Sequence, residues 1–371
     1  MNDLHGIIFA YHSHRNLGDL TNHRNTCSVP YGSRYRLIDF ILSNMVNAGI
    51  SDIGLIVHEN YQSLLDHVGS GKDWDLSRKH GGLRILPPFS TSERTQGEYR
   101  GNMDALVGVS SYLRNIRQEY VVLAWGDLAV NFSLSDAFAQ HLETKSDITV
   151  VCTHNHCGAP EACQYLQTDA SGRVTDIIIN PSQEPDGLES LEIYILSKSL
   201  LLRMVEECAT HDIYSFSRGV LLPGVNTLKI TPYVDDGYAG RFHSVKDYFR
   251  RSMDLLKEDV RQDVFDPNAP IRTKDRFDPS TYYGPDSKCH NSLIADGCVI
   301  EGEVENSILF RGVVVEKGAK VSNCVLMQET VIGANASVSF AVADKNVRIG
   351  KNRTLTGQET YPIAIPKNTS V

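Results

Sequence analysis

Between about Asn291 and Gly350, small and β-branched residues recur six positions apart. Ile294 is followed by Ile300, Ile308 by Val314, Val315 by Val321, Val325 by Val331 and Ile332 by Val338. Gly312 and Gly318 keep the same interval. This spacing constrains the fold more tightly than any other feature of the chain. It predicts a parallel β-helix, in which each face stacks its branched residue on the coil below and buries a continuous column. The register slips near Glu303 and Lys320, so the helix is expected to be imperfect. An ordinary antiparallel sandwich is the alternative reading.

Residues 1 to about 240 follow a different rule. Short apolar runs at Gly6–Ala10, Ile53–Val57, Tyr120–Ala124 and Ile148–Thr153 read as buried strands. Helical spacing appears over Arg36–Asn47, through Leu37, Phe40, Ile41 and Met45, and again over Tyr61–Val68. Strands separated by helices imply an α/β domain with a mostly parallel sheet and helices on both faces. Ligands of such sheets bind at the carboxyl ends of the strands. The 11–16 loop and Asp127 both fall there. Ser244 opens a predicted helix over 244–262, and the proline-rich stretch 266–285 reads as a linker. The expected organisation is residues 1–243, a helix and linker over 244–290, and a β-helix over 291–371.

Several function classes recede. A formal charge of −9 without a basic stripe argues against nucleic-acid binding. No apolar run approaches the roughly 20 residues that span a bilayer. The opening MNDLHGIIFAY has neither a basic region nor a small-residue cleavage site, so a cytoplasmic location without membrane association is expected. The eight cysteines show no framework spacing and are expected to be reduced. Cys152, His154, His156 and Cys157 could ligate zinc, but no C-x2-C pair is present and Val150, Cys152 and His154 alternate as in a strand. The expectation is core and loop residues, with no metal site.

The segment Leu17–Ile50, LGDLTNHRNTCSVPYGSRYRLIDFILSNMVNAGI, closely resembles the N-terminal signature of ADP-glucose pyrophosphorylases (glucose-1-phosphate adenylyltransferases). Pro270-Ile-Arg-Thr273 matches the family's P-I-R-T segment, and Asn291-Ser-Leu-Ile294 opens the repeat region as in the family. The resemblance covers nearly the whole chain. It implies a Rossmann-like nucleotidyltransferase domain followed by a left-handed parallel β-helix. It also implies a reaction in which glucose 1-phosphate attacks the α-phosphorus of ATP, giving ADP-glucose and pyrophosphate. Such a site must cradle a triphosphate, hold Mg²⁺ and neutralise charge on the leaving group.

Position by position, this chain departs from that site. The family's G-G-x-G-x-R loop reads Tyr11-His12-Ser13-His14-Arg15-Asn16. Side chains at Tyr11, His12 and His14 stand where backbone N–H groups would approach phosphate. Protonated His12 and His14 binding phosphate themselves is the alternative. The lysine of R-A-K-P is Thr26, and the loop arginine is Asn16. Asp127 keeps one Mg²⁺ carboxylate, whereas Arg241 aligns with the second. E-K-P reads Ile179-Asn180-Pro181, and G-x-Y reads Glu192-Ile193-Tyr194. H-D-F-G-x-D loses its last aspartate over His211–Phe216. Only the Y-R-G-T-A-D-A loop is largely kept, as Tyr99–Ala105. Tyr99, Arg100, Gly101, Asp104, Asp127 and Tyr194 are therefore the candidates for a vestigial nucleotide-sugar pocket, and retention for structural reasons is the equal alternative.

The resemblance narrows to the GlgD-type, regulatory branch of the family. It implies a non-catalytic subunit in bacterial glycogen synthesis with no cofactor of its own, Mg²⁺ residing in a catalytic partner. The expected assembly is a heterotetramer with that partner, or a homo-oligomer of this chain alone. A small anionic effector is expected near Arg34 or Arg36, because the family carries a basic residue near its activator site before R-I-I-D-F. The rival readings are an active nucleotide-sugar enzyme with a rebuilt site and a free-standing metabolite-sensing protein.

Overall fold

A computed structural model describes residues 3–11, 17–87 and 99–371. It divides into two compact units, each discontinuous in sequence: 1–14, 38–240 and 265–272 form the first, and 15–37, 241–264 and 273–371 the second. The division therefore does not follow the expected limits of 243 and 290.

The first unit is built on a nine-stranded sheet. Its strands are β1 (Leu4–Phe9), β2 (Asp52–Ile56), β3 (Gly82–Leu86), β4 (Tyr120–Trp125), β5 (Ile148–Thr153), β6 (Gln164–Thr168), β7 (Val174–Ile179), β8 (Leu188–Ser197) and β9 (Ile230–Val234). β1 pairs in parallel with β2 and β4, and β2 with β3. The apolar runs read from sequence are the central strands, and they are apolar because both faces are covered. Ile7, Ile8 and Phe9 are 0–1% exposed. β8 enters antiparallel between β4 and β5, and the β6–β7 pair joins its start. The parallel arrangement thus holds for the β3-β2-β1-β4 half, where crossovers carry α1 (Leu37–Asn47), α2 (Gln62–Val68), α3 (Asn102–Gly108) and α4 (Ser110–Arg114). The remaining helices of this unit that bear on the argument are α5 (Leu134–Thr144) and α6 (Lys198–His211), capped by the Ser133 and Ser197 hydroxyls.

Part of the expected linker is bound to this unit. Asn131 Nδ2 donates to Ala269 O at 2.9 Å, and Arg272 N donates to Ser43 Oγ at 2.8 Å. Extended backbone with few partners of its own is satisfied here by side chains of the sheet unit.

The second unit holds the β-helix. Three parallel ladders run through it, exemplified by Val299–Val314–Val331–Arg348, Val304–Val321–Val338–Leu355 and Ile308–Val325–Val342. Stacked partners lie a whole coil apart, mostly fifteen or seventeen residues, so a coil is shorter than three strict sixes. Val304, Leu309, Val315, Val321 and Val338 are 0–2% exposed and form the buried column. The corners are turned by residues at positive φ, many of them asparagines such as Asn291, Asn306, Asn335 and Asn352. Asparagine tolerates this conformation through its short polar side chain. Asn291 also donates to Asn306 across coils at 2.7 Å.

The predicted 244–262 helix is two helices, α7 (Val245–Asp254) and α8 (Glu258–Val264). Ser244 caps the first, as expected, by accepting from Asp247 N at 3.1 Å. The break has a cause. The amides of Leu255, Leu256 and Lys257 bond three residues back, and the Arg261 guanidinium takes the carbonyls of Leu255, Leu256 and Lys257 at 3.1–3.3 Å. Within this unit α7 is tied to the 15–37 segment: Tyr248 OH donates to Pro30 O at 2.6 Å, and Tyr31 OH to Arg251 O at 2.8 Å. Those long-range bonds join 15–37 to 241–264, and the Arg24–Asp344 pair joins 15–37 to the β-helix. Among the described residues no helix is long and apolar enough to cross a membrane.

Candidate functional site

β1 ends at the position where the family places its phosphate loop. Tyr11 follows it and is partly buried, its ring 6.2 Å from Phe9, 5.5 Å from His58 and 5.7 Å from Tyr99. Its hydroxyl donates to Gly101 O at 3.4 Å. His58 and Tyr99 complete a three-ring cluster with centroids 5.4 Å apart, and Tyr99 N donates to His58 Nε2 at 3.3 Å. Burial, then the neighbouring phenol and Asp104, hold the Tyr11 hydroxyl well above its ordinary pKa; burial and Asp104 push Tyr99 up to about 12. Both phenols therefore stay neutral. His12, His14 and Asn16 lie outside the described residues.

The Tyr99–Ala105 loop is pinned to the segment after α6. Met103 N donates to Tyr214 O at 2.9 Å, and Asn102 Oδ1 accepts from Phe216 N at 2.7 Å. Gly101 is required by this approach: a Cβ there would stand 2.4 Å from Tyr214 O. The Arg100 guanidinium lies over the Tyr214 ring, 3.7 Å from its centroid, bonds its hydroxyl, and has Asp104 at 3.5 Å and Asp212 at 3.8 Å. Asp104 accepts from Arg100 N at 3.2 Å. Each retained residue of this loop has a structural partner.

The other candidates of the first unit are scattered by depth. Asp127 follows β4 and is 1% exposed. Tyr194 is not at a surface: it is 0% exposed, packs on Phe216 at 4.9 Å and donates to Gln164 Oε1 at 3.3 Å. Glu192 is 5% exposed with φ 58, at a register shift of β8 between Ser190 and Ile193. That left-handed conformation suits glycine and costs a residue with a side chain roughly 1–2 kcal/mol. Asn180 is exposed at the end of β7, also at positive φ. In the second unit, Arg241 is 1% exposed, and Thr26 is buried in a short 3-10 helix whose Asn25 cap accepts from Ser28 N at 3.1 Å.

Among the described residues no three His, Cys, Asp or Glu side chains converge as a metal site needs. The cysteine–histidine cluster is otherwise engaged. Cys157 donates from N and Sγ to Glu189 at 3.1 and 2.6 Å, and His154 pairs with Asp236 at 3.0 Å. Cys152 is buried in β5, and all eight cysteines are free thiols.

The second unit gathers cations that motif reading did not bring together. Arg24 is 4% exposed and binds both oxygens of Asp344, itself 1% exposed, at 2.7 and 2.5 Å. Lys345 follows Asp344. Desolvation, Arg36 and Arg24 hold its amine down to about 7 against the partial compensation of Asp344, with Lys367 adding to the repulsion. Arg36 therefore lies in a cationic cluster. Arg34 is exposed and lies 5.8 Å from the Tyr35 ring, and its charge is felt at Arg311 instead. The two effector candidates thus separate. Lys345 carried no motif, and only its packing singles it out.

Residues 6–229 match the nucleotidyl transferase family, and residues 280–360 the GlmU-like C-terminal hexapeptide family. The chain is 36% identical over 322 residues to the glycogen biosynthesis protein GlgD of Bacillus subtilis (strain 168), covering 86% of this chain and 83% of that one. It is 35% identical over 323 residues to the glycogen biosynthesis protein GlgD of Geobacillus stearothermophilus, covering 86% and 83%. The glucose-1-phosphate adenylyltransferase of Geobacillus stearothermophilus is 31% identical over 311 residues, covering 82% and 79%.

Proposed function

The chain belongs to the glucose-1-phosphate adenylyltransferase family, and from that premise we propose that it serves glycogen biosynthesis as a non-catalytic regulatory subunit. It pairs with a catalytic adenylyltransferase subunit, which supplies the Mg²⁺ site. The observation that carries this reading is the Tyr11–His58–Tyr99 ring cluster at the end of β1. A phosphate cradle needs bare backbone N–H groups there, and an aromatic side chain bonded to Gly101 O fills the position instead. Thr26 and Arg241, at positions where the family has a lysine and an aspartate, point the same way. The test mixes this chain with a catalytic subunit over a range of ratios. Raised ADP-glucose synthesis or altered effector response, with co-elution on size exclusion, is the expected result. Unchanged kinetics at every ratio without co-elution overturns the reading.

The regulatory input in this reading is a small anion recognised by Arg36 and Lys345. The sign of the pH dependence follows from Lys345. Its folded pKa of about 7 lies below the ordinary lysine value of 10.5, so between those values the unfolded chain holds the extra proton and stability rises with pH. An anion favours the ammonium form, so its binding tightens as pH falls through about 7. Sulfate, which does not titrate in this range, is expected to bind about tenfold more weakly at pH 8.5 than at pH 6.5. Lys345→Gln should flatten that slope. A slope that survives the substitution removes Lys345 from the site.

A further inference from the structure

At the end of the first unit's sheet where β1, β2 and β3 begin, a cavity of about 350 Å³ opens to solvent. It lies at the opposite end of the strands from Tyr11 and Asp127. His5 of β1 lines it and is 1% exposed. Burial holds this imidazole neutral, its pKa brought down to about 4 against the pull of Asp52. Nε2 lies 2.9 Å from Tyr112 OH. With the phenol donating, Nε2 is the acceptor and Nδ1 carries the proton. That Nδ1 faces two acceptors, the Asp52 carboxylate with Oδ2 at 3.7 Å and the side-chain amide of Gln118.

Three permanent cations line the cavity. Lys79, Arg84 and Arg117 are exposed, and none forms an ion pair among the described residues. Arg84 is steadied over the Tyr112 ring, 5.5 Å from its centroid. Lys79 is carried to the cavity by the turn into β3. Gly81 and Gly82 take φ of +78° and +84°, a Cβ on Gly82 would stand 2.2 Å from Leu76 O, and Gly82 N donates to Ser51 O at 2.8 Å. Asp52 is the one carboxylate in the lining. Three unpaired cations against one carboxylate leave an excess of two positive charges that a dianion neutralises, and arginine suits a phosphate oxygen pair.

We propose that this cavity binds a phosphate dianion, either inorganic phosphate or the phosphoryl group of a small monoester. Arg84 and Lys79 hold the oxygens, and Arg117 adds its charge at the rim. The site is independent of the regulatory reading above. The test uses the full chain carrying Lys345→Gln, which removes the anion site assigned to the other unit. Inorganic phosphate and glycerol 1-phosphate are titrated separately by calorimetry into this protein and into the same protein with Lys79→Gln and Arg84→Gln. Both replaced side chains are exposed, and an unchanged melting temperature verifies the fold. Binding of either probe that weakens at least about tenfold in the variant supports the proposal and identifies the source of the phosphoryl group. Binding of neither probe, or binding the variant leaves intact, overturns it. A crystal soaked in tungstate gives a second readout: anomalous density beside Arg84 is expected, and its absence from an otherwise ordered cavity counts against the site.

Discussion

Assayed alone with ATP, glucose 1-phosphate and Mg²⁺, this chain is expected to form ADP-glucose at least about 10³-fold more slowly than a catalytic family member. Each lost cation or metal ligand removes roughly 2–4 kcal/mol of transition-state stabilisation, and losses within one site do not simply add. Two such losses already account for about 10³ in rate. In the reading proposed above, Thr26 and Arg241 stand where the family has a cation and a metal ligand, and Tyr11 fills a third position with a ring. A host-enzyme-free preparation whose rate comes within tenfold of a catalytic subunit, and loses it on Asp127→Ala, would favour an active enzyme with a rebuilt site. Restoring glycine at Tyr11 alone should leave the chain inactive, because the missing charges remain missing.

The second large effect concerns stability. Asp344→Ala is expected to lower the unfolding free energy by about 3–5 kcal/mol, a large part of what holds a domain together. The substitution strands the Arg24 guanidinium in a place where it is 4% exposed and where its remaining side-chain acceptor among the described residues is Met327 Sδ at 3.8 Å. The double replacement Arg24→Met with Asp344→Leu should recover most of the loss, since two apolar side chains leave no charge uncompensated. Urea unfolding of the three proteins decides it. A change below about 1 kcal/mol for Asp344→Ala would mean that the pair is solvated and does not anchor the 15–37 segment.

What the sequence made legible was whatever is local or periodic. Gly6–Ala10, Ile53–Val57 and Tyr120–Ala124 could be read as strands because a strand covered on both faces is apolar throughout. The β-helix announced itself through its spacing, and the slips near Glu303 and Lys320 correspond to coils of fifteen or seventeen residues. The direction of β8 was hidden, because an apolar run carries no sign of whether its neighbours are parallel. The break after Asp254 was hidden too: it depends on Arg261 reaching back to three carbonyls. At the site, departures from motif could be named residue by residue, yet their depth could not. Tyr194 reads as a pocket residue and is sealed in the core. Arg36 and Lys345 are separated by most of the chain, and no local pattern joins them.

Arg24 and Asp344 are 320 positions apart in the chain. At about 5–20 residues per second, a ribosome takes on the order of 16–64 s to travel between them. β1 emerges ahead of the 15–37 segment, and its sheet partners β2 and β4 follow well before the β-helix coils exist. For that interval Val29, Tyr31 and the other apolar residues of the segment have no finished core to enter. The nascent chain therefore carries this apolar segment without its α7 partners until Arg251 is made, and without Asp344 for longer still. Chaperone capture during synthesis, rather than the speed of any single folding step, is what this connectivity places under selection.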